Sequence, residues 1–304
     1  NTCTAVGFRR SSRQTQRHLG NVGVHVSLTF DYDAYSVWIG SVGAMSPSMV
    51  SRGEFGPIAI RRILPLLEQH RIKGTFFIPG HTALAFPKTV EDIAAAGHEI
   101  GHHGWVHENP VSTTPDQERW IMDKGLEALD RVAGIRPVGY RSPAWDNSPR
   151  TVPLLLEYGF KYESSLMGNE YDAYWCRVGD EWSKTDPWKF GTPVELVELP
   201  VSWMLDDFPH FEVILGSNPG YASPRAVLQM WIDEFDYLYD RIGKGLFNLT
   251  MHPQTIGRGS RLLILEKLIE HIQGKSGVTF GPLADYAAKW RVGKSPSLPA
   301  DAAS

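Results

Sequence analysis

Short apolar segments with the pattern of β-strands alternate with helical patterns along most of this sequence. The strand patterns cover residues 22–30, 74–78, 246–251 and 278–280. The helical patterns between them begin at Ser-Pro or Thr-Pro pairs or end in glycine, which are signals of helix termini. Alternation of this kind predicts parallel βα units around one sheet. Without a repeat of fixed period or a low-complexity linker, we expect a single α/β domain with a barrel-like fold.

The composition narrows the class of protein and its partners. Hydrophobic residues make up 42% and charged residues 21%, which is typical of a globular chain. A formal net charge of −4 lacks the excess of basic residues that nucleic-acid binders carry, so we expect no nucleic-acid partner. No apolar run approaches the roughly 18 residues that cross a bilayer, so we expect no membrane partner. Two cysteines without a C-x-x-C pair, and no visible secretory signal, favour a cytoplasmic location.

Three polar clusters, each directly after an apolar strand pattern, contain the candidate metal-binding and catalytic residues. They are Asp31-Tyr-Asp33, the pair His103 and His107, and His252. Two imidazoles four residues apart share one face of a helical turn, and a carboxylate from another segment would complete a divalent metal site with an open position for water. The second carboxylate of the first cluster would then act as a base toward that water, and His252 as the matching acid.

A second histidine pattern, His98-Glu-Ile-Gly-His102, matches the H-E-x-x-H signature of zinc metalloproteases. That signature requires a continuous helix, which glycines at positions 97, 101 and 104 oppose. Each glycine costs about 1 kcal/mol in a helix interior relative to alanine. We therefore expect no protease site here.

The ordered set of motifs resembles the polysaccharide deacetylases, carbohydrate esterase family 4, over about residues 24–290. The motifs that carry the resemblance are Asp31-Tyr-Asp33, His103-Gly-Trp-Val-His107-Glu-Asn-Pro, Gly139-Tyr-Arg-Ser-Pro-Ala-Trp145 and Leu249-Thr-Met-His252-Pro253. The likeness is greatest to the branch with the Helicobacter peptidoglycan deacetylase, whose relatives include cyclic imide hydrolases and allantoinases. It implies a distorted (β/α)7 barrel and a bound divalent metal, usually Zn²⁺ and sometimes Co²⁺ or Ni²⁺.

The resemblance also assigns a role to each candidate residue. We expect a flexible arm over residues 1–20, a catalytic domain over 21–293 and a tail over 294–304. The resemblance implies a homo-oligomer, either a dimer or a tetramer. Either Asp206 or Asp207 would contact the pocket or tune a histidine, and the choice stays open. The remaining assignments are Asp33, His103 and His107 as metal ligands, Asp31 as base, His252 as acid, Arg141 as the group that orients Asp31, and Trp145 as a pocket wall.

The motifs predict a hydrolase of carbon–nitrogen bonds other than peptide bonds, acting on N-acetylated sugars. An alternative with the same core chemistry is a cytoplasmic hydrolase of small cyclic imides or ureides. A more remote alternative is a carbohydrate-binding protein that uses its ten tryptophans as stacking platforms. The insertion-like stretch 171–197 bears on this choice, because it is expected either to cover the pocket or to lie between subunits.

Overall fold

A curled β-sheet forms the centre of the structure, a computed structural model that describes residues 23–300. The strand order is β6-β7-β5-β4-β3-β2-β1-β8, with β9 also paired to β1. Every ladder is parallel except the β6–β7 hairpin. The strands are β1 (Gly23–Asp31), β2 (Thr75–Ile78), β3 (Glu99–His102), β4 (Gly139–Tyr140), β5 (Tyr162–Glu163), β6 (Tyr174–Val178), β7 (Thr192–Glu198), β8 (Lys244–Met251) and β9 (Val278–Phe280).

Helices connect the strands, and the longer ones follow the predicted signals. Thr114 and Gln117 form a capping box at the start of the fifth helix, which Gly134 ends in the left-handed conformation. Another helix, Phe55–Gln69, contains Pro65 in its interior. The helices are α1 (Pro47–Val50), α2 (Phe55–Gln69), α3 (Gly80–Ala85), α4 (Pro87–Ala95), α5 (Pro115–Ala133), α6 (Thr151–Tyr158), α7 (Phe208–Phe211), α8 (Pro224–Tyr237), α9 (Pro253–Ile256), α10 (Gly259–Gln273) and α11 (Leu283–Trp290).

Side-chain alternation along β1 separates the two faces of the sheet. One face is fully apolar, and it packs in the main core with residues of α2, α8 and α10. The opposite face is polar yet also buried, which places it inside the curl of the sheet. The apolar residues are Val24, Val26, Leu28 and Phe30, and the polar ones are His25, Ser27, Thr29 and Asp31.

The curl brings the two edges of the sheet close together. The backbone N–H of Leu246 on β8 donates to the carbonyl of Tyr171, just before β6, at 2.8 Å. A second core joins Leu283 and Ala287 of α11 to Phe77 and Trp175. The predicted fold class is therefore confirmed: a single α/β domain built as a distorted (β/α)7 barrel.

The predicted boundaries of the arm, domain and tail stay predictions. Residues 1–20, the expected arm, lie outside the described residues. Across residues 23–300, none of the helices combines the length and apolar character needed to cross a bilayer.

Candidate active site

The residues predicted from the sequence lie together at the carboxyl ends of the parallel strands. Asp31 is the last residue of β1, His103 follows β3 directly and His252 follows β8 directly. The active sites of α/β barrels lie at this end of the strands, because the loops that follow the strands converge there. All nine predicted residues are buried: Asp31, Asp33, His103, His107, Arg141, Trp145, Asp206, Asp207 and His252.

Asp33, His103 and His107 form a group that could hold a metal ion. Nε2 of His103 lies 3.4 Å, and Nε2 of His107 3.8 Å, from Oδ1 of Asp33. Such separations suit ligands of one ion with bonds of about 2.0–2.2 Å. Within the described residues, both carboxylate oxygens of Asp33 and Nε2 of His103 are buried without a hydrogen bond. Because buried polar atoms are normally paired, these donors fit a divalent cation.

Hydrogen bonds at the other ring nitrogen orient both imidazoles. Nδ1 of His103 donates to the carbonyl of Arg141 at 2.7 Å. The Ser41 hydroxyl donates to the carbonyl of His107 at 3.0 Å and lies 2.6 Å from Nδ1 of that ring, which we therefore assign as the donor to Oγ. Both rings thus turn Nε2 toward Asp33, the arrangement found for histidines that bind metals.

The pKa values of Asp33, His103 and His107 depend on one another. Burial raises the pKa of Asp33, but the surrounding histidines lower it more, so the net pKa lies below its usual value. Burial lowers the pKa of His103, whereas Asp31 and Asp33 raise it above its usual value. Burial lowers the pKa of His107 to about 4, so its ring is neutral at pH 7, the form that binds metals.

His103 and His107 do not share a helical turn, so this prediction was wrong. β3 ends at His102, and an irregular loop follows in which Gly104 has φ 74° and His107 has φ 64°. This loop, rather than a helix, brings the two rings to a centroid distance of 5.0 Å.

Non-glycine residues with left-handed backbone are concentrated in the loops that carry site residues. Outside glycine, an L-residue in this region is strained by contacts of its Cβ atom. Among residues 23–300, five non-glycine residues have positive φ, and only Arg71 is remote from the site. The other four are Ala34, His107, Ala144 and Trp145.

Arg141 follows β4 and fixes one oxygen of Asp31. Its Nη1 donates to Asp31 Oδ1 and to Thr29 Oγ1, each at 2.9 Å. Its Nε and Nη2 donate to the carbonyl and hydroxyl oxygens of Ser164 at 3.0 and 2.9 Å. The second oxygen of Asp31 faces Nε2 of His103 at 3.9 Å. Asp31 therefore presents one oxygen to the metal-ligand group while the guanidinium holds the other.

His252 lies between two carboxylates and the metal-ligand group. Its Nδ1 is 2.8 Å from Oδ1 of Asp207, which also accepts the backbone N–H of His252 at 2.9 Å. Oδ1 of Asp206 lies 3.4 Å from the same nitrogen, and Nε2 points to Asp33 Oδ2 at 3.7 Å. Burial lowers the pKa of His252, but Asp206 and Asp207 raise it well above its usual value. The two carboxylates therefore favour the protonated form of this ring.

A cavity of about 170 Å³ opens onto these groups. Asp31, Ser41, His107, Asp206 and His252 form its polar side. The question left open between the two adjacent aspartates has a geometric answer: Asp207 bonds to the histidine, and Asp206 lines the cavity. The walls are otherwise apolar, and their larger side chains are Val37, Val42, Trp145, Trp203, Phe208 and Ile214.

Most of these walls were missed by reasoning from the sequence. Trp145 was predicted, and its ring stacks on Trp203 at 4.3 Å. Trp203 lies three residues before Asp206 in the sequence. Because Asp206 was a candidate site residue, this position could have predicted that Trp203 lies near the cavity. Ile214 carries no such signal, because only the tertiary fold brings its segment to the cavity.

The H-E-x-x-H pattern is not a metalloprotease site, as predicted. Its residues from Glu99 to His102 form strand β3. Oε2 of Glu99 accepts from the Thr75 hydroxyl at 2.7 Å and from the backbone N–H of Ala284 at 3.1 Å. Oε1 accepts from the hydroxyl of Tyr162 at 2.8 Å. Glu99 therefore anchors the start of α11 inside the barrel.

The stretch 171–197 does not contribute to the cavity. Its residues form the β6–β7 hairpin, and none of them lines the cavity. Trp182 and Trp188 stack on each other at 5.3 Å on the surface, whereas Trp175 is buried against Trp290. The expectation that this stretch covers the pocket was therefore wrong.

Comparison with known proteins identifies the family. A family model described as polysaccharide deacetylase matches residues 23–163. The peptidoglycan deacetylase of Helicobacter pylori is 41% identical over 277 residues, which are 86% of this chain and 94% of that protein. The chain belongs to the polysaccharide deacetylase family. As a member of this deacetylase family, it is a hydrolase of carbon–nitrogen bonds other than peptide bonds.

Solved structures agree with this assignment. A structure titled putative polysaccharide deacetylase, from Mycobacterium smegmatis, superimposes with a TM-score of 0.79 and 35% identity, covering 91% of this chain and 93% of that one. The PuuE allantoinase superimposes with a TM-score of 0.75 over the same shares of the two chains. Its identity of 24% shows a common fold and nothing further.

Proposed function

We propose that this deacetylase is metal-dependent and removes acetyl groups from N-acetylated sugars. The observation that carries the proposal is the convergence of Asp33, His103 and His107 beside Asp31 and His252 at one cavity. The name of the Helicobacter pylori relative, peptidoglycan deacetylase, supports a sugar substrate. Zn²⁺ is the first candidate for the metal because two histidines and one carboxylate form a ligand set that zinc prefers, with one position open.

A divalent ion in this group would polarise the amide carbonyl and make a water molecule more acidic. The free oxygen of Asp31 accepts a proton from that water as the water oxygen adds to the amide carbon. Arg141 keeps Asp31 oriented through its bond to the other oxygen. The carbon–nitrogen bond then breaks, and Nε2 of His252 donates its proton to the leaving nitrogen. The products are acetate and a free amine.

A small cyclic imide or ureide is the second candidate substrate, because a cavity of this size holds a ring of that class. A volume of about 170 Å³ equals that of about six water molecules in the liquid. The apolar walls suit a compact ring or a single acetamido group better than a row of sugar units. The same attack on an amide carbonyl serves both substrates.

A paired turnover assay on zinc-loaded protein tests the proposal. Acetate release from N-acetylglucosamine oligomers is measured beside ring opening of cyclic imides and ureides. Acetate release that disappears in the His103→Ala variant supports the deacetylase, and ring opening alone replaces it with the second candidate. Absence of both activities in protein with bound zinc refutes both and leaves the carbohydrate-binding alternative. The predicted cytoplasmic location and homo-oligomer stay predictions.

A further inference from the structure

Two glutamates that the mechanism does not use are buried together beside the site. Glu163 on β5 and Glu198 on β7 occupy paired positions of neighbouring parallel strands. Both side chains are fully buried, and one carboxylate oxygen of each lies within 3.2 Å of the same backbone nitrogen, that of Ser165. In the described part of the chain, the ion pairs do not include either of them. Two buried carboxylates without a cation repel each other strongly, a situation that one shared proton relieves.

The groups around Glu163 and Glu198 are consistent with one proton shared by the two carboxylates. Burial, and then the neighbouring carboxylate, raise the pKa of Glu198 well above its usual value. The titratable groups around the pair include the Cys176 thiol, 3.7 Å from Glu198 Oε2, and the Tyr174 phenol. Burial raises the pKa of both, so both are neutral at pH 7.

The two carboxyl groups converge on Ser165. Its backbone N–H lies 3.2 Å from Oε2 of Glu163 and 3.1 Å from Oε1 of Glu198, so both oxygens share one donor. Oε1 of Glu198 also accepts the N–H of Leu166 at 2.9 Å. The hydroxyl of Ser165 donates to Oε1 of Glu163. The loop after β5 is therefore fixed at its backbone and at its side chain.

Ser165 connects the loop after β5 to the loop after β4, which carries Arg141 and Trp145. Its hydroxyl oxygen accepts the backbone N–H of Ser142 at 2.8 Å. Ser142 lies between Arg141 and the turn that positions Trp145, and its carbonyl accepts the N–H of Trp145 at 3.0 Å. Because Ala144 and Trp145 are in strained left-handed backbone, this turn needs external contacts to hold it.

We propose that Glu163 and Glu198 share one proton and act, through Ser165, as positioning residues for Arg141 and Trp145. This inference rests on the proposed function, since it concerns the residues that orient Asp31 and wall the cavity. Neither glutamate touches the cavity, so they act on turnover only through the loop after β4.

Ser165→Ala is the direct test, and Ser27→Ala is its matched control. Both serines are buried, and the hydroxyl of Ser27 donates to a backbone carbonyl at 2.8 Å, that of Gly281. We expect Ser165→Ala to lower kcat at least tenfold with bound zinc unchanged, and Ser27→Ala to stay within threefold of wild type. Equal kcat values for the two variants would overturn the proposal.

The shared proton has its own test in two variants of Glu198. Glu198→Gln keeps a neutral group that can donate to Glu163, whereas Glu198→Ala removes it. We expect Glu198→Gln to retain kcat within threefold and Glu198→Ala to lose at least tenfold. Equal losses in both variants would refute the shared proton.

Crystal structures of wild type and Ser165→Ala separate this proposal from the proposed function. We expect the Arg141 Nη1 to Asp31 Oδ1 distance, 2.9 Å in wild type, to exceed 3.5 Å in the variant. An unchanged distance and an unmoved Trp145 would refute the positioning role even if the protein has another substrate. Wild-type protein inactive on every amide tested would refute the proposed function alone, because the distance does not depend on turnover.

Discussion

Replacing Arg141 by methionine should reveal how strongly the guanidinium and Asp31 depend on each other. Methionine keeps an unbranched apolar stem in a fully buried position but removes every hydrogen-bond donor. Asp31 would then keep its negative charge in the barrel interior without the 2.9 Å partner that offsets it. A buried ion that loses its partner is among the most destabilising changes known in proteins.

The hydrogen bonds of Arg141 determine how much the free energy of unfolding should change. Arg141→Met removes one hydrogen bond to a carboxylate and four to neutral acceptors, so the free energy of unfolding should fall by about 3–5 kcal/mol. Asp31→Asn leaves the guanidinium with its four neutral acceptors and should cost about 1–3 kcal/mol. The double variant contains no uncompensated charge. It should therefore be more stable than the sum of the two single effects predicts, by at least about 1 kcal/mol.

Urea unfolding of wild type, both single variants and the double variant at one pH and one zinc concentration measures this coupling. The kcat of each protein is measured in parallel. We expect each single change to lower kcat by about 100-fold or more, and the double change to lower it little further, because both residues serve one step. Additive effects on stability, within about 0.5 kcal/mol, would refute the coupling of this pair.

Three further predictions concern protons and metal. Asp207→Asn should lower the pKa of His252 and move the alkaline limb of the pH–rate profile to lower pH by one unit or more; an unmoved limb would count against His252 as the acid. His103→Ala should lose bound zinc, whereas His252→Ala should keep it and still lose about 100-fold or more in kcat; zinc loss in the second variant would reject the two roles. Burial lowers the pKa of His98 to about 4, so the unfolded chain takes up a proton near pH 6.5 that the folded state refuses. Unfolding free energy should fall by about 3 kcal/mol from pH 7 to pH 4 through this residue alone, and His98→Gln should remove that part of the loss.

Much of the fold could be predicted because its signals are local. The helix from Pro115 to Ala133 has its cap, its capping-box glutamine and its terminal glycine within the segment itself. Pro65 lies inside α2, where packing of the helix in the main core outweighs the local cost of a proline, and no local signal shows this. The β6–β7 hairpin was missed as secondary structure because its pairing depends on the neighbouring strand β5.

The site was predicted from residue types and motif order, whereas its geometry was not. The chemistry of a carboxylate pair and three histidines is visible in the sequence. The arrangement of His103 and His107 is not, because their loop owes its shape to contacts with other segments, such as that of Ser41. Asp206 and Asp207 are adjacent and chemically alike. Their segment pairs with Thr250 on β8, and this tertiary contact, which the sequence does not show, helps to place the Asp207 carboxylate nearer the histidine.

The left-handed residues of the site loops have a consequence for directed evolution. At Ala34 and Ala144, glycine would relieve about 1 kcal/mol of backbone strain each, at the cost of a freer chain. Selection for heat resistance alone should therefore accept substitutions in these loops that selection for turnover rejects. In a library sorted first for thermostability and then for activity, the residues accepted at these two positions should differ between the two rounds. The reason is that the enzyme gives up part of its folding free energy to hold its reactive groups in place.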